Sequence, residues 1–195
     1  MATAVEIEVG DAPERWAALG FAVHDGAFAV GGVRVVAAGG APGVHAVRFR
    51  GLGVKAPDGL PFEAARADPA PDGAPHPNGA VAVDHVVAFT DDLDRTSAAL
   101  DAAGLPLRRT RRPPEAPAPR AFHVADTLVV ELVETGAPPS LWGIVVVVAD
   151  LDAAAERLGE RLGRPRDAVQ PGRRIATVRR NAGLSVALAL MTPRR

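Results

Sequence analysis

Two residues of this chain place charge where charge is expensive. Glu131 stands in the run Val129-Val130-Glu131-Leu132-Val133, and His85 stands in Asp84-His85-Val86-Val87. An ionised carboxylate among apolar neighbours must be paired, hydrogen-bonded or coordinated. A histidine in such a run can fill the interior and bond a backbone carbonyl, or it can contact a ligand. For Glu131 one partner is close in the sequence. A hairpin turning on Ala125-Asp126 pairs Val124 with Thr127 and puts Arg120 opposite Glu131 on the same face, where cross-strand neutralisation is an alternative to a metal. His123 then lies on the other face with Leu128. Further along, Gln170 precedes two arginine pairs, Arg173-Arg174 and Arg179-Arg180. Neighbours on a strand point to opposite faces, so one of each pair, with Arg174 the candidate from the first, can grip a carboxylate or phosphate. The alternative is a solvated sheet edge. Phe89, Phe122 and Trp142 can line a pocket and are equally ordinary core residues.

The elements that hold these side chains occur twice. Asp84-His85-Val86-Val87-Ala88-Phe89-Thr90-Asp91-Asp92-Leu93-Asp94 is echoed by Trp142-Gly143-Ile144-Val145-Val146-Val147-Val148-Ala149-Asp150-Leu151-Asp152, so that Asp152 follows Asp94 by 58 residues. Each copy reads as a strand, an Asp-Leu-Asp helix cap and an Ala/Leu/Arg helix. Each then continues into paired apolar runs: Ala121 to Val124 with Leu128 to Val133, and Ile175 to Val178 with Leu184 to Leu190. Two such units side by side can curl into a cup.

The first eighty residues look like a shortened version of the same theme. Val5 to Val9 alternates as a half-buried strand, Asp11-Ala12-Pro13-Glu14-Arg15-Trp16 starts a short helix, and Phe28 to Val36 turns on Gly31-Gly32 as a hairpin. Val44 to Phe49 is a further strand with no helix after it. The organisation expected is a reduced module over 1–55, a Pro/Ala-rich linker over 56–79, and two full modules over 80–137 and 140–193. The Pro-rich stretch from Arg111 to Pro119 reads as a loop over the cup mouth.

Composition narrows the chemistry. With 195 residues, 48% hydrophobic, the chain can bury a real core, and a net charge of −1 gives no general attraction to nucleic acid or acidic membranes. There is no cysteine, which removes disulfides, thiolate ligands and a Cys nucleophile. One Lys against twenty-one Arg fits GC-rich coding rather than a basic function. Neither a phosphate-binding loop, a His-Glu-x-x-His nor a Gly-x-Ser-x-Gly elbow occurs. No signal-like start and no membrane-length apolar stretch is visible, so a cytoplasmic protein is the expectation.

The repeat and the residues Asp84-His85-Val86-Val87, Asp92-Leu93-Asp94, Val129-Val130-Glu131-Leu132 and Ala149-Asp150-Leu151-Asp152 resemble the vicinal oxygen chelate superfamily, which includes glyoxalase I, bleomycin resistance proteins and extradiol dioxygenases. The resemblance implies an α+β fold of tandem βαβββ modules forming a cup-shaped, mostly antiparallel sheet. It also implies a divalent metal (Zn, Fe, Mn or Ni) held by the first and last strands of both modules, with substrate chelating it through neighbouring oxygens. In the first module His85 and Glu131 occupy those positions, and Glu131 would also move the proton. In the second module the positions fall on Gly143 and about Ala187, which coordinate nothing through a side chain. His45 is a further metal candidate if its strand starts a module. The alternative is a surface strand on which His45 and Arg48 do not share a face.

Two main classes of function follow. One is a small-molecule binder with an incomplete metal site, holding an organic, anionic guest through His85, Arg120, Phe122, Trp142 and Arg174. The other is a metal-dependent lyase, isomerase or dioxygenase. A ligand-free structural or regulatory module is the third. An unpaired amino-terminal module should pack on the repeat or build a homodimer.

Overall fold

The structure, a computed structural model, describes residues 1–71, 73–111 and 118–194. It contains two sheets. The carboxyl-terminal one has eight strands in the order β11-β12-β13-β10-β6-β9-β8-β7. It is built from β6 (Ala80–Thr90), β7 (Leu107–Arg111), β8 (Arg120–Ala125) and β9 (Leu128–Glu134), then β10 (Ser140–Val148), β11 (Arg166–Asp167), β12 (Arg174–Thr177) and β13 (Ala187–Met191). In each module the first strand is followed by a helix, α2 (Leu93–Ala102) or α3 (Leu151–Leu158), and runs parallel to the last strand of its own module. The two first strands, β6 and β10, lie antiparallel at the centre. This is the α+β, tandem-module cup.

Local chemistry starts both helices as the sequence predicts. Asp92 accepts the Arg95 N–H at 2.9 Å, and Asp150 accepts those of Asp152 and Ala153 at 2.9 and 3.0 Å. Leu93, Leu100, Leu151 and Leu158 then bury one helix face.

The amino-terminal chain forms a five-stranded sheet, β2-β3-β1-β4-β5, from β1 (Thr3–Val9), β2 (Ala27–Val30), β3 (Val33–Ala37), β4 (Val44–Arg50) and β5 (Phe62–Ala64), with α1 (Pro13–Ala18) after β1. Gly31 and Gly32, at φ +55° and +84°, make the β2–β3 turn. The sheet repeats the larger plan in reduced form. β1 runs parallel to β3, β4 runs parallel to β5, and β1 and β4 are antiparallel neighbours. The stretch read as linker from residue 56 therefore contributes a 3₁₀ turn at Pro57–Gly59 and the strand β5. Three residues of weak alternation carry little strand signal, and β5 exists because β4 offers it an edge.

One continuous core takes the apolar faces of both sheets, from Ile7, Val9, Val47 and Phe49 to Val86, Ala88, Ile144 and Val146. The amino-terminal unit thus packs on the repeat, covering the face it would otherwise expose. Polar clamps fix the arrangement. His76 accepts the Ala22 N–H at 2.9 Å and donates to the Ala29 carbonyl at 2.8 Å, while Asn78 donates to the Leu19 carbonyl at 2.9 Å. Asp11, 3% exposed, accepts the backbone N–H groups of Ser185 and Val186 at 2.8 and 3.1 Å. No helix among the described residues is long and apolar enough to cross a membrane.

Replacing Asp11 by Ala leaves the buried Val186 N–H without an acceptor, at a cost of about 1–3 kcal/mol. Chemical denaturation should show that loss within a single transition, because both sheets share one core. A separate early transition confined to the amino-terminal sheet would contradict the shared core.

Candidate functional site

The concave face of the large sheet encloses a cavity of about 760 Å³. His85, Val87 and Phe89 of β6 project into it, while Val86, Ala88 and Thr90 are fully buried on the other face. A β-bulge changes this alternation one residue earlier. Val145 pairs with His85 and Val146 with Val83, so Asp84 is the extra residue. Val83 therefore keeps its place in the core, and Asp84 and His85 both turn to the concave side.

The bulge completes a row of alternating charges. Arg173 Nη1 lies 2.8 Å from Asp84 Oδ1, and Asp84 Oδ2 lies 2.8 Å from His85 Nδ1. His85 Nε2 is 3.2 Å from Glu131 Oε2, and Arg120 Nη1 donates to Glu131 Oε1 at 2.9 Å. Burial opposes a charge on His85, but the two carboxylates outweigh it and raise its pKa above the usual imidazole value. Burial likewise works against ionising Asp84, yet His85 and Arg173 hold it down to about 2. Glu131 is lowered too, by His85 and then Arg120, against the effect of burial.

The Arg120 to Glu131 pair expected from the sequence forms, but by a different register. The hairpin turns on Asp126-Thr127, with Asp126 at φ +57°, and Phe122 stands directly opposite Glu131. Arg120 reaches the carboxylate diagonally. His123 lies on the other face, fully buried, between the Leu105 carbonyl and Ser97 Oγ at 2.8 and 2.9 Å.

Phe122 and Trp142 line the cavity, Trp142 stacked on Phe89 at 5.4 Å between ring centroids. Arg174 does not. It forms a two-pronged pair with Asp152 of α3 at 2.8 and 3.0 Å, and the member of its pair that turns to the concave side is Arg173, 4% exposed. Arg179 and Arg180 sit in the turn between β12 and β13. His45 is not brought to His85. Its Nε2 bonds the Ala41 carbonyl at 2.6 Å and its Nδ1 is 3.9 Å from Glu8 on the small sheet. A register shift beside Val9 lets His45 share a face with Arg48, which pairs with the same Glu8 at 2.7 Å, contrary to simple alternation. Of the Pro-rich loop expected over the mouth, residues 112–117 lie outside the described residues.

The register also sharpens the comparison of the two modules. Val87 pairs with Glu131 and Val145 with Ala189, so the counterpart of Glu131 is Ala189 rather than Ala187. The counterpart of His85 is Gly143, where a Cβ would stand 2.4 Å from the Ala187 carbonyl oxygen. The second half of the cup is instead an apolar patch of Val145, Ala189 and Met191 with Ala168 and Ile175.

This donor set does not fit a divalent metal. Structural and catalytic sites use three or four protein ligands, and an imidazole must offer a lone pair. Here two donors remain, His85 has both ring nitrogens turned to carboxylates, and Arg120 holds one Glu131 oxygen. No group of three or more His, Asp or Glu suited to a metal occurs among the described residues.

Sequence reasoning chose Arg174 over Arg173 within their pair, and it missed Asp84 and three arginines of β7. In β7 a register shift between Leu107 and Arg109 lets consecutive Arg108 and Arg109 reach the concave side together with Arg111. Arg109 lies over the Phe122 ring, 4.7 Å from its centroid. Clustering of arginines at 108, 109 and 111 was the available signal.

Solved structures share this fold. The methylmalonyl-CoA epimerase from Mycobacterium tuberculosis superimposes with a TM-score of 0.51 at 20% identity, over 60% of this chain and 91% of its own. A second methylmalonyl-CoA epimerase gives 0.50 at 18% identity, over 60% and 97%. The chain has the vicinal oxygen chelate fold. No protein-family profile and no curated protein sequence matches it.

The vicinal oxygen chelate cup of this chain should show a distinct pH response. The raised His85 pKa contributes stability fully below its ordinary value of 6.5 and loses it as pH rises through the folded value. The depressed Asp84 and Glu131 values contribute above 3.8 and 4.5 and lose that contribution as pH falls. All three act together between about pH 4.5 and 6.5. The stability difference between wild type and His85→Gln should be largest in that window and shrink above it. A difference independent of pH would show His85 to be neutral.

Proposed function

We propose that the cup is a metal-independent receptor for a small organic acid. The observation that carries this reading is the chemistry of the two ligand-bearing halves. In one, the expected metal donors are tied into a salt-bridged row ending in Arg120. In the other, Gly143 and Ala189 present no donor at all.

The cavity walls match a molecule with an acidic head and an apolar body. Arg109, Arg111 and Arg166 line it and make no ion pair with a described residue. Arg111 stands directly across from Arg120 in the β7–β8 pairing. Like charges opposite one another on neighbouring strands repel, so an anion between them removes a penalty as well as forming charge-assisted hydrogen bonds. Phe122, Phe89 and Trp142 offer flat surface, and Val145, Ala189, Met191 and Ile175 offer an apolar floor. A carboxylate held by two guanidinium N–H groups gains about 1.5–3 kcal/mol per bond, while the hydrocarbon leaves water on the opposite side.

His85, Arg120, Phe122 and Trp142 thus contact the guest, and Glu131 serves to hold His85 and Arg120 in place. The competing reading, a metal-dependent lyase, isomerase or dioxygenase with His85 and Glu131 as ligands and Glu131 moving the proton, requires a metal that this donor set does not suit.

Calorimetric titration should show benzoate binding at least about tenfold more tightly than benzamide, a difference of about 1.4 kcal/mol, and an Arg111→Gln variant should lose that preference. Elemental analysis of the purified protein should show no stoichiometric transition metal. Stoichiometric metal that disappears in His85→Ala would replace this reading with the enzymatic one.

A further inference from the structure

Beside the main cavity lies a second one of about 450 Å³, and the two share His85, Arg109, Arg111, Phe122, Val169 and Gln170 as common wall. Its own residues include Asp84, Arg108, Pro171 and Arg194. We propose that this annex is a second anion subsite, built for a tetrahedral dianion of the phosphate type. The inference deepens the organic-acid reading of the cup and rests on it.

The wall chemistry is one-sided. Among the described residues, four arginines, at 108, 109, 111 and 194, and one carboxylate, that of Asp84, line the annex. That carboxylate is already engaged by Arg173 at 2.8 Å and by His85 at 2.8 Å, while Arg194 stays 3.7 Å away. Arg108, Arg109 and Arg111 make no ion pair with a described residue. Behind the wall, Arg173 is 4% exposed, and its Nη2 has no hydrogen-bond partner among the described residues. Among the described residues that line the space, positive charge exceeds negative charge.

Gln170 adds neutral donors. Its Oε1 accepts from Arg173 Nη1 at 2.6 Å, and the residue lines the annex with an amide N–H₂ that can donate two hydrogen bonds. A wall of guanidinium forks and an amide, with the Asp84 carboxylate and the Gln170 carbonyl both engaged by neighbours, suits a group rich in acceptors. A dianion with three or four oxygens uses more of these donors than a single carboxylate can. The bulge in β7 gives the annex its own arginine. Arg108 lines the annex and not the cup, while Arg120 lines the cup and not the annex. The two subsites can thus be separated by mutation.

The test uses the full chain and three probes: inorganic phosphate, benzoate and phenyl phosphate. Arg108 and Arg194 are exposed and contribute little to folding, so Arg108→Gln/Arg194→Gln should stay folded. In calorimetric titrations at constant ionic strength, that variant should bind phosphate about tenfold or more weakly and bind benzoate as wild type does. Arg120→Gln should show the reverse. Phenyl phosphate that binds more tightly than phosphate and displaces benzoate means that the dianion belongs to the cup's own guest. Phenyl phosphate equal to phosphate and without effect on benzoate means a free inorganic dianion. Phosphate that fails to bind, that binds equally to the Arg108/Arg194 variant, or that competes fully with benzoate overturns the annex subsite. In each of those cases the benzoate titration still reports on the cup by itself.

Discussion

The antiparallel pairing of β6 with β10 is the constraint from which the cup and its chemistry both follow. It sets the two modules back to back and decides which residues of each first strand look inward. Where it slips by one residue, at Asp84, it also creates the charged row on the cup floor. A carboxylate on the core side at that point would enter the apolar cluster that holds Val83, Val86 and Ile144, where an unpaired charge is costly. Turned to the concave side, Asp84 meets Arg173 arriving from the other module.

That row replaces what a metal would do for the same strands. Two carboxylates and an imidazole gathered in a half-buried site need positive charge, and a divalent ion is one source of it. Here the charge comes from the imidazole proton and from two guanidinium groups placed at either end of the row. Desolvation offsets much of the attraction within a buried ion-pair network of this kind, but removing any one member leaves its neighbours uncompensated. The outcome is a rigid and positively biased floor under one half of the cup, facing an apolar half made of Val145, Ala189 and Met191.

The amino-terminal sheet follows the same plan with different contents. Its concave-type face carries Glu6, Glu8, Glu63 and Arg48, and Arg48 alone bonds all three carboxylates, at 2.6, 2.7 and 3.0 Å. These side chains fill the face with one another. The opposite face is apolar and completes the core of the repeat. A reduced copy of the module has become packing for the full ones.

The duplication, the helix starts at Asp92 and Asp150, most of the strands though not the short β5, β7 and β11, and the meeting of His85, Glu131 and Arg120 were legible in the sequence, because each rests on local rules. Period-two alternation, Asp capping and the cost of an unpaired Glu131 need no knowledge of distant strands. The bulges at Asp84, beside Arg108 and at His45 were not legible, since a bulge is a mismatch between a strand and its partner and has no signature within one strand. The hairpin register that sets Phe122 opposite Glu131, the counterpart of Glu131 at Ala189, and the choice of Arg173 over Arg174 depend on the same inter-strand geometry. Residue types along single strands determined that a charged cup would form. Only the pairing of strands far apart in the chain decided which charges enter it, because one residue of slip exchanges the two faces of a sheet.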